Sequence, residues 1–301
     1  MAVRGAFDKA IAPGLFGAYA DEYESLPARY TDIFNIMTTG RAYETILVTT
    51  GLGTTPAKPE SSNVAIDTPL QVGTVVMRVN SYGLGYEISR ELYDDDLYGV
   101  VGVPASRFLA QSGRDTEERQ AWALINNAFT NTTGTLSYDG LSIVNTVHTL
   151  KGGGTYANRP GSTTALSFSA LQASLERHML MVNERSLKIR QQPSWLIVPI
   201  QLSWLADEIL NSTQKPFTAD NTTNVLAKGK IGLTAYPSEF MTSATAWVTL
   251  TPKGKHKLDF FWRTKPYMDK DFDKKAQVAQ MMNFFRFGTA AFDWRGIDGS
   301  P

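Results

Sequence analysis

The sequence predicts an α+β fold, and three stretches carry that reading. Residues 104–130 hold the longest uninterrupted helical pattern. Residues 43–50 and 74–80 are β-branched runs with the period of two that strands require. Residues 169–210 pass from a helix through a short apolar strand to a second helix, the order that builds an α/β layer.

Composition narrows the function. With 43% hydrophobic residues over 301, the chain can bury a sizeable core. Its 29 basic and 29 acidic residues balance, which gives no general attraction to nucleic acid or to an anionic membrane. Cysteine is absent, so disulfides, thiolate zinc sites and cysteine nucleophiles are excluded. The N-terminus lacks an apolar signal region and no window approaches the ~20 apolar residues of a spanning helix, so a soluble, cytoplasmically made protein is expected.

In chain order, residues 6–37 carry two short amphipathic patterns, Phe16, Tyr19 and Tyr23, then Tyr30, Ile33, Phe34 and Met37, parted by Pro27. They either dock on the chain's own core or form an arm on a neighbouring subunit. Between the strands at 43–50 and 74–80 lies a Gly-, Pro-, Thr- and Ser-rich connection, so residues 41–81 read as a long two-stranded arm. An isolated ribbon is at best marginally stable, and ordering each residue costs roughly 1–2 kcal/mol of backbone entropy, so this arm needs another surface.

The helix at 104–130 is expected to start at Pro104. Ala121, Leu124, Ile125, Ala128 and Phe129 form its buried stripe, and the charged middle, Arg114, Asp115, Glu117, Glu118 and Arg119, is expected to be exposed. Ser169 with Gln172 reads as a capping box for the helix of Leu171, Leu175, Met179 and Val182. Trp195-Leu-Ile-Val198 is a buried strand. Residues 230–235 and 247–251 read as strands, the latter turning through Pro252–His256 into a return strand at 257–263, and residues 276–294 as a final two-faced strand region.

Catalytic patterns are sparse. His148, His178 and His256 have no metal-site spacing, and His178 reads as a core-boundary residue. Gly51-Leu-Gly53 follows a strand, but Pro56 and Pro59 forbid the helix a dinucleotide needs. Asp269-Lys-Asp271-Phe-Asp273 begins like a calcium loop but has Lys274 and Gln280 where glycine and glutamate are required. No cofactor or metal is expected, and an enzymatic alternative, a hydrolase with a mobile lid at 51–69, would rest on His148 and Glu87.

The segments Tyr82-Gly-Leu-Gly-Tyr-Glu-Ile-Ser-Arg-Glu-Leu-Tyr-Asp-Asp-Asp96, Trp195-Leu-Ile-Val-Pro199 and Phe292-Asp-Trp-Arg-Gly-Ile297, in this order of elements, resemble the major capsid proteins of tailed bacteriophages, nearest the Mu-like major head subunits. The resemblance implies the Johnson fold. Residues 1–40 would be an N-terminal arm, 41–81 the E-loop, 82–160 with 264–301 the peripheral domain carrying the spine helix, and 161–263 the axial domain. It implies hexamers and pentamers closing an icosahedral virion shell around DNA held weakly and non-specifically, assembled in the host bacterial cytoplasm. It further implies a portal, decoration proteins and, because the chain opens almost directly in the arm, a separate scaffolding protein. An encapsulin-like compartment shares the fold and is the structural alternative.

On this reading the subunit-interface candidates are Glu44, Lys58, Glu60 and Arg78 on the arm, Arg90, Asp94, Asp95 and Asp96 beyond the next strand, and Arg114, Glu117 and Glu118 on the helix. Glu44 and Arg78 are expected to pair with the helix of another copy, and charge reversal at Glu117 and Glu118 to reduce assembly while sparing the fold.

Overall fold

The computed structural model describes residues 7–95, 98–216, 222–227 and 232–301. Two four-stranded sheets share a core that a long helix helps to fill. Helix α1 (Phe7–Ser25), the single turn α2 (Tyr30–Ile33) and strand β1 (Asn35–Thr38) open the chain, followed by the hairpin of β2 (Tyr43–Thr49) and β3 (Gln71–Arg78). Strand β4 (Asn80–Ser89), the short α3 (Arg90–Asp94) and α4 (Tyr98–Asn126) come next. The small ladder of β5 (His148–Thr149) and β6 (Thr155–Tyr156) precedes α5 (Phe168–Leu180), β7 (Trp195–Pro199), α6 (Ser203–Asn211), β8 (Thr234–Ser238) and β9 (Trp247–Leu250). The chain closes with β10 (Leu258–Asp273), β11 (Val278–Ala291) and β12 (Ile297–Ser300).

The first sheet has the order β1-β10-β11-β4 and the second β12-β9-β7-β8. The largest apolar cluster joins both, running from Tyr30, Trp122 and Phe260 to Ile197, Val248 and Ile297. A second packs α5 and α6 on the second sheet through Leu171, Leu175, Val198 and Ile209.

Four expectations are corrected. Helix α4 starts upstream of Pro104, which lies inside it, and ends at Asn126 rather than near 130. At this interior proline Tyr86 Oη lies 2.6 Å from Ser106 Oγ and 3.3 Å from the Gly102 carbonyl, adding side-chain bonds where the missing N–H weakens the ladder. The α5 cap is Ser167, whose extended backbone lets Oγ accept from the Ala170 N–H at 3.2 Å; Ser169 is inside the helix. The second N-terminal helix is one turn only, and Met37 lies in β1, because Asn35–Thr38 pair parallel with Asp259–Trp262. Finally, β9 and β10 are not a hairpin: β9 pairs with β7 and β12, β10 with β1 and β11, so the chain changes sheets at the 252–257 turn.

Strand β10 therefore runs through the expected boundary at 263/264 and absorbs Asp269–Asp273 as strand rather than loop, while β12 returns to the second sheet. The strand expected from Lys230 begins partly outside the described residues; β8 starts at Thr234. Among the described residues no helix is long and apolar enough to cross a membrane.

Candidate assembly interface

The arm is rooted on its own chain and exposed beyond that root. Strands β2 and β3 pair in antiparallel register from Tyr43 opposite Arg78 to Thr49 opposite Gln71. The ladder is extended by Thr50, whose N–H donates to the Leu70 carbonyl (2.9 Å) and whose Oγ1 accepts from the Leu70 N–H (3.0 Å). Alternation turns Ile46, Val75 and the buried Met77 inward onto Phe261, Ala290 and Phe292 of the first sheet. Gly288 makes this seat possible, since a Cβ there would lie 2.2 Å from Met77 Sδ and 2.5 Å from the Arg78 carbonyl.

The opposite face of the hairpin presents Tyr43, Leu47 and Val76 to solvent, and the loop at 51–69 adds Val64, 72% exposed, and Ile66, 94% exposed. One strap holds the base of that loop. Arg185 pairs with Asp67, donates to the Thr68 carbonyl at 2.9 Å, and Asp67 accepts from the Gly53 N–H at 2.8 Å.

The charged middle of α4 is where the sequence misled. Glu117 is 0% and Glu118 2% exposed, and their partners are in their own chain. Glu117 accepts from Tyr23 Oη (2.5 Å), Tyr30 Oη (3.2 Å) and Arg114 Nη1 (2.8 Å). Glu118 accepts from the Tyr30 N–H (3.1 Å) and Trp122 Nε1 (3.0 Å). Arg114 also donates to the Tyr23 carbonyl at 3.1 Å and lies 4.0 Å above the Tyr23 ring. Burial pushes both carboxyls up, and the hydrogen bonds from Tyr23 and Tyr30, with the Arg114 charge, offset part of that. These residues clamp α1 and α2 onto α4 and do not form an outward charged face. The signal that finds them is the helical stripe of Ala110, Gly113, Glu117, Ala121 and Leu124, which puts Glu117 on the buried side.

The other candidates scatter. Glu44 is engaged locally, accepting from Thr39 Oγ1 at 2.5 Å with Arg41 3.7 Å away. Lys58, Glu60 and Arg78 are exposed on the arm, and Asp95 is exposed after α3. Arg90 approaches Gln277 through both backbone (3.1 Å) and side chain (3.5 Å). Asp94 ends α3, and Asp96 lies outside the described residues.

The residues proposed for hydrolysis are not assembled. His148 is fully buried, stacked 4.3 Å from Trp294, and bonded to Asp139 (2.5 Å) and Asn158 (3.1 Å), whereas Glu87 is exposed on β4 and accepts from Gln280 (2.8 Å). His178 is buried, with Nε2 2.9 Å from Thr249 Oγ1, and burial lowers its pKa to about 4. Among the described residues no group of three or more acidic or histidine side chains is placed to hold a metal.

Comparison with known proteins follows the same elements. The family described as phage capsid protein matches residues 71–297. No curated protein matches the sequence. Among solved structures, the capsid of the native GTA particle superposes with TM-score 0.58 at 14% identity over 90% of this chain and 89% of that one. The procapsid of bacteriophage JBD30 gives 0.53 at 15%, covering 99% and 76%. The virus-like particle from Pyrococcus furiosus gives 0.54 at 9%, covering 96% and 99%. At these identities the likeness is one of fold, and the fold is that of phage capsid subunits.

Proposed function

The chain belongs to the phage capsid protein family, and from that premise we propose that its copies, as hexamers and pentamers, close an icosahedral shell around a viral DNA genome. The observation that carries assembly is the arm. Its inner face is seated on Phe261 and Phe292, while Tyr43, Leu47 and Val76 on the other face are more than half exposed and Ile66 at the loop is 94% exposed. Fully burying one such side chain contributes roughly 1.5–3 kcal/mol, and a closed shell repeats that gain at every subunit.

In this reading α1, α2 and β1 are the N-terminal arm and the β2–β3 hairpin is the E-loop. The other three strands of the first sheet, β10, β11 and β4, with α4 are the peripheral domain, and the second sheet with α5 and α6 is the axial domain. Assembly takes place in the host cytoplasm, with a separate scaffolding protein and a portal. The family match favours a viral shell over an encapsulin-like compartment.

Cryo-electron microscopy of the purified protein, expressed alone and with a scaffolding partner, tests the proposal. Closed shells with five- and six-fold capsomers are expected. A monomer that stays monomeric at high concentration under both conditions would overturn it.

A further inference from the structure

Residues 51–69 leave the hairpin ladder as a loop, and one guanidinium holds both of its ends. Arg185 Nε donates to Thr50 Oγ1 at 3.4 Å where the loop starts, and its two Nη groups donate to the Asp67 carboxylate and to the Thr68 carbonyl (2.9 Å) where it returns. Asp67 carries the tie across the neck by accepting from the Gly53 N–H at 2.8 Å. Beyond this neck Leu52, Val64 and Ile66 are more than half exposed, and among the described residues no other hydrogen bond or ion pair joins 51–69 to the chain outside the hairpin.

The two sides of this contact are held unequally. Arg185 stands on a tight turn, where its own N–H and that of Leu187 both donate to Asn183 Oδ1 (2.9 Å each) and Ser186 sits at φ 61°. Glu184, one residue earlier, is 2% exposed and fixed in the core: its carboxylate accepts from Arg295 Nη2 (2.5 Å), the Lys151 N–H (2.7 Å) and Tyr138 Oη, and its carbonyl accepts from the Gly152 N–H (2.8 Å). Gly152 permits that approach, because a Cβ there would lie 2.8 Å from the Glu184 carbonyl oxygen. The guanidinium is thus a fixed post, and the loop's neck is the part free to move.

We propose that Arg185 and Asp67 form an ionic clasp that sets the direction in which the loop leaves the body, and that opening it frees residues 51–69 to swing as a unit about Thr50 and Leu70 at the end of the ladder. Three acceptors on two separate stretches meet one planar fork, which the compact charge of a lysine cannot match. With side chains 23% and 43% exposed, the pair is screened by salt and weak enough to open without disturbing the core. The clasp is a property of the single chain and does not rest on the shell reading.

Pulsed electron spin resonance on the full chain tests it. The sequence has no cysteine, so Val64→Cys with Ala173→Cys, both at exposed positions, gives one spin-label pair between the loop and α5. At about 0.1 M salt, where the screening length is about 10 Å, one narrow distance distribution is expected; at about 1 M, where it is about 3 Å, a second, broader population appears. Arg185→Gln and Asp67→Asn each produce the broad population at low salt, and the two together add nothing further, as groups acting in one contact require. Arg185→Lys falls between. Asp67 is exposed, so Asp67→Asn decides the matter even where Arg185→Gln disturbs folding. A distribution in Asp67→Asn as narrow as in the labelled parent, or one already broad in the parent at low salt, overturns the clasp and leaves the shell reading untouched.

Discussion

Single residues decide how firmly the N-terminal elements are held. Glu117, itself fully buried, accepts from two tyrosine hydroxyls and a guanidinium, so Glu117→Ala takes the carboxylate from the buried Tyr30 and the part-buried Tyr23 and Arg114 and is expected to cost about 3 kcal/mol in denaturant unfolding. Charge reversal there destabilises the subunit itself, contrary to the expectation that folding would be spared. A second residue sets pH dependence. His256 is buried beside Lys253 and Lys257, and burial, then those charges, lower its pKa to about 4. A histidine depressed in the folded state stabilises the fold fully above its ordinary pKa near 6.5 and loses that contribution as pH falls toward 4. His256→Asn should therefore make stability between pH 7 and 4.5 less pH-dependent than in the wild type, by on the order of 2–3 kcal/mol. Asp298 acts in the opposite sense, since burial raises it to about 6 against the bonds from Arg177 and Ser174, so its contribution is lost as pH rises through that value. Comparing variant with wild type removes this background.

At the scale of elements, the seat of the hairpin on β11 is the joint that matters. Gly288→Ala drives a methyl into Met77 and the Arg78 backbone, and the expected result is an unseated arm. Limited proteolysis at 51–69 should speed up several-fold while the far-UV circular dichroism stays near wild type; unchanged cleavage would show that the joint tolerates the methyl. The elements legible from sequence were those whose pattern is local. Trp195–Val198 is continuously apolar because β7 is an interior strand, and the hairpin strands alternate because each has one seated and one open face. What stayed illegible depends on distant partners. The clamp glutamates read as solvated because the groups that bury them, Tyr23 and Tyr30, lie 87–94 residues away in sequence. The assignment of β9 and β10 to different sheets likewise turns on β1 and β12, which no local pattern links to them.

For the whole molecule, one side of the arm is seated on its own chain and the other is exposed, the side that the proposed shell would cover. Leu47→Asp, placed on the open face, is expected to leave a soluble, normally folded subunit that no longer closes shells, read by circular dichroism and electron microscopy together. Hydrogen exchange gives an independent check. Amides of the loop should exchange rapidly in free subunits, where few are bonded, and become protected in shells; equal exchange in both states would argue against its burial on assembly.

The pairing of β4 with β11 has a consequence for timing. Residues 80–89 find their strand partner only at 278–287, Met77 finds its seat at Gly288, and the second sheet gains its β12 edge only with 297–300. Contacts so far apart in sequence form slowly, and none can form before residues 278–300 have been synthesised. A nascent subunit therefore has neither a seated arm nor a finished sheet.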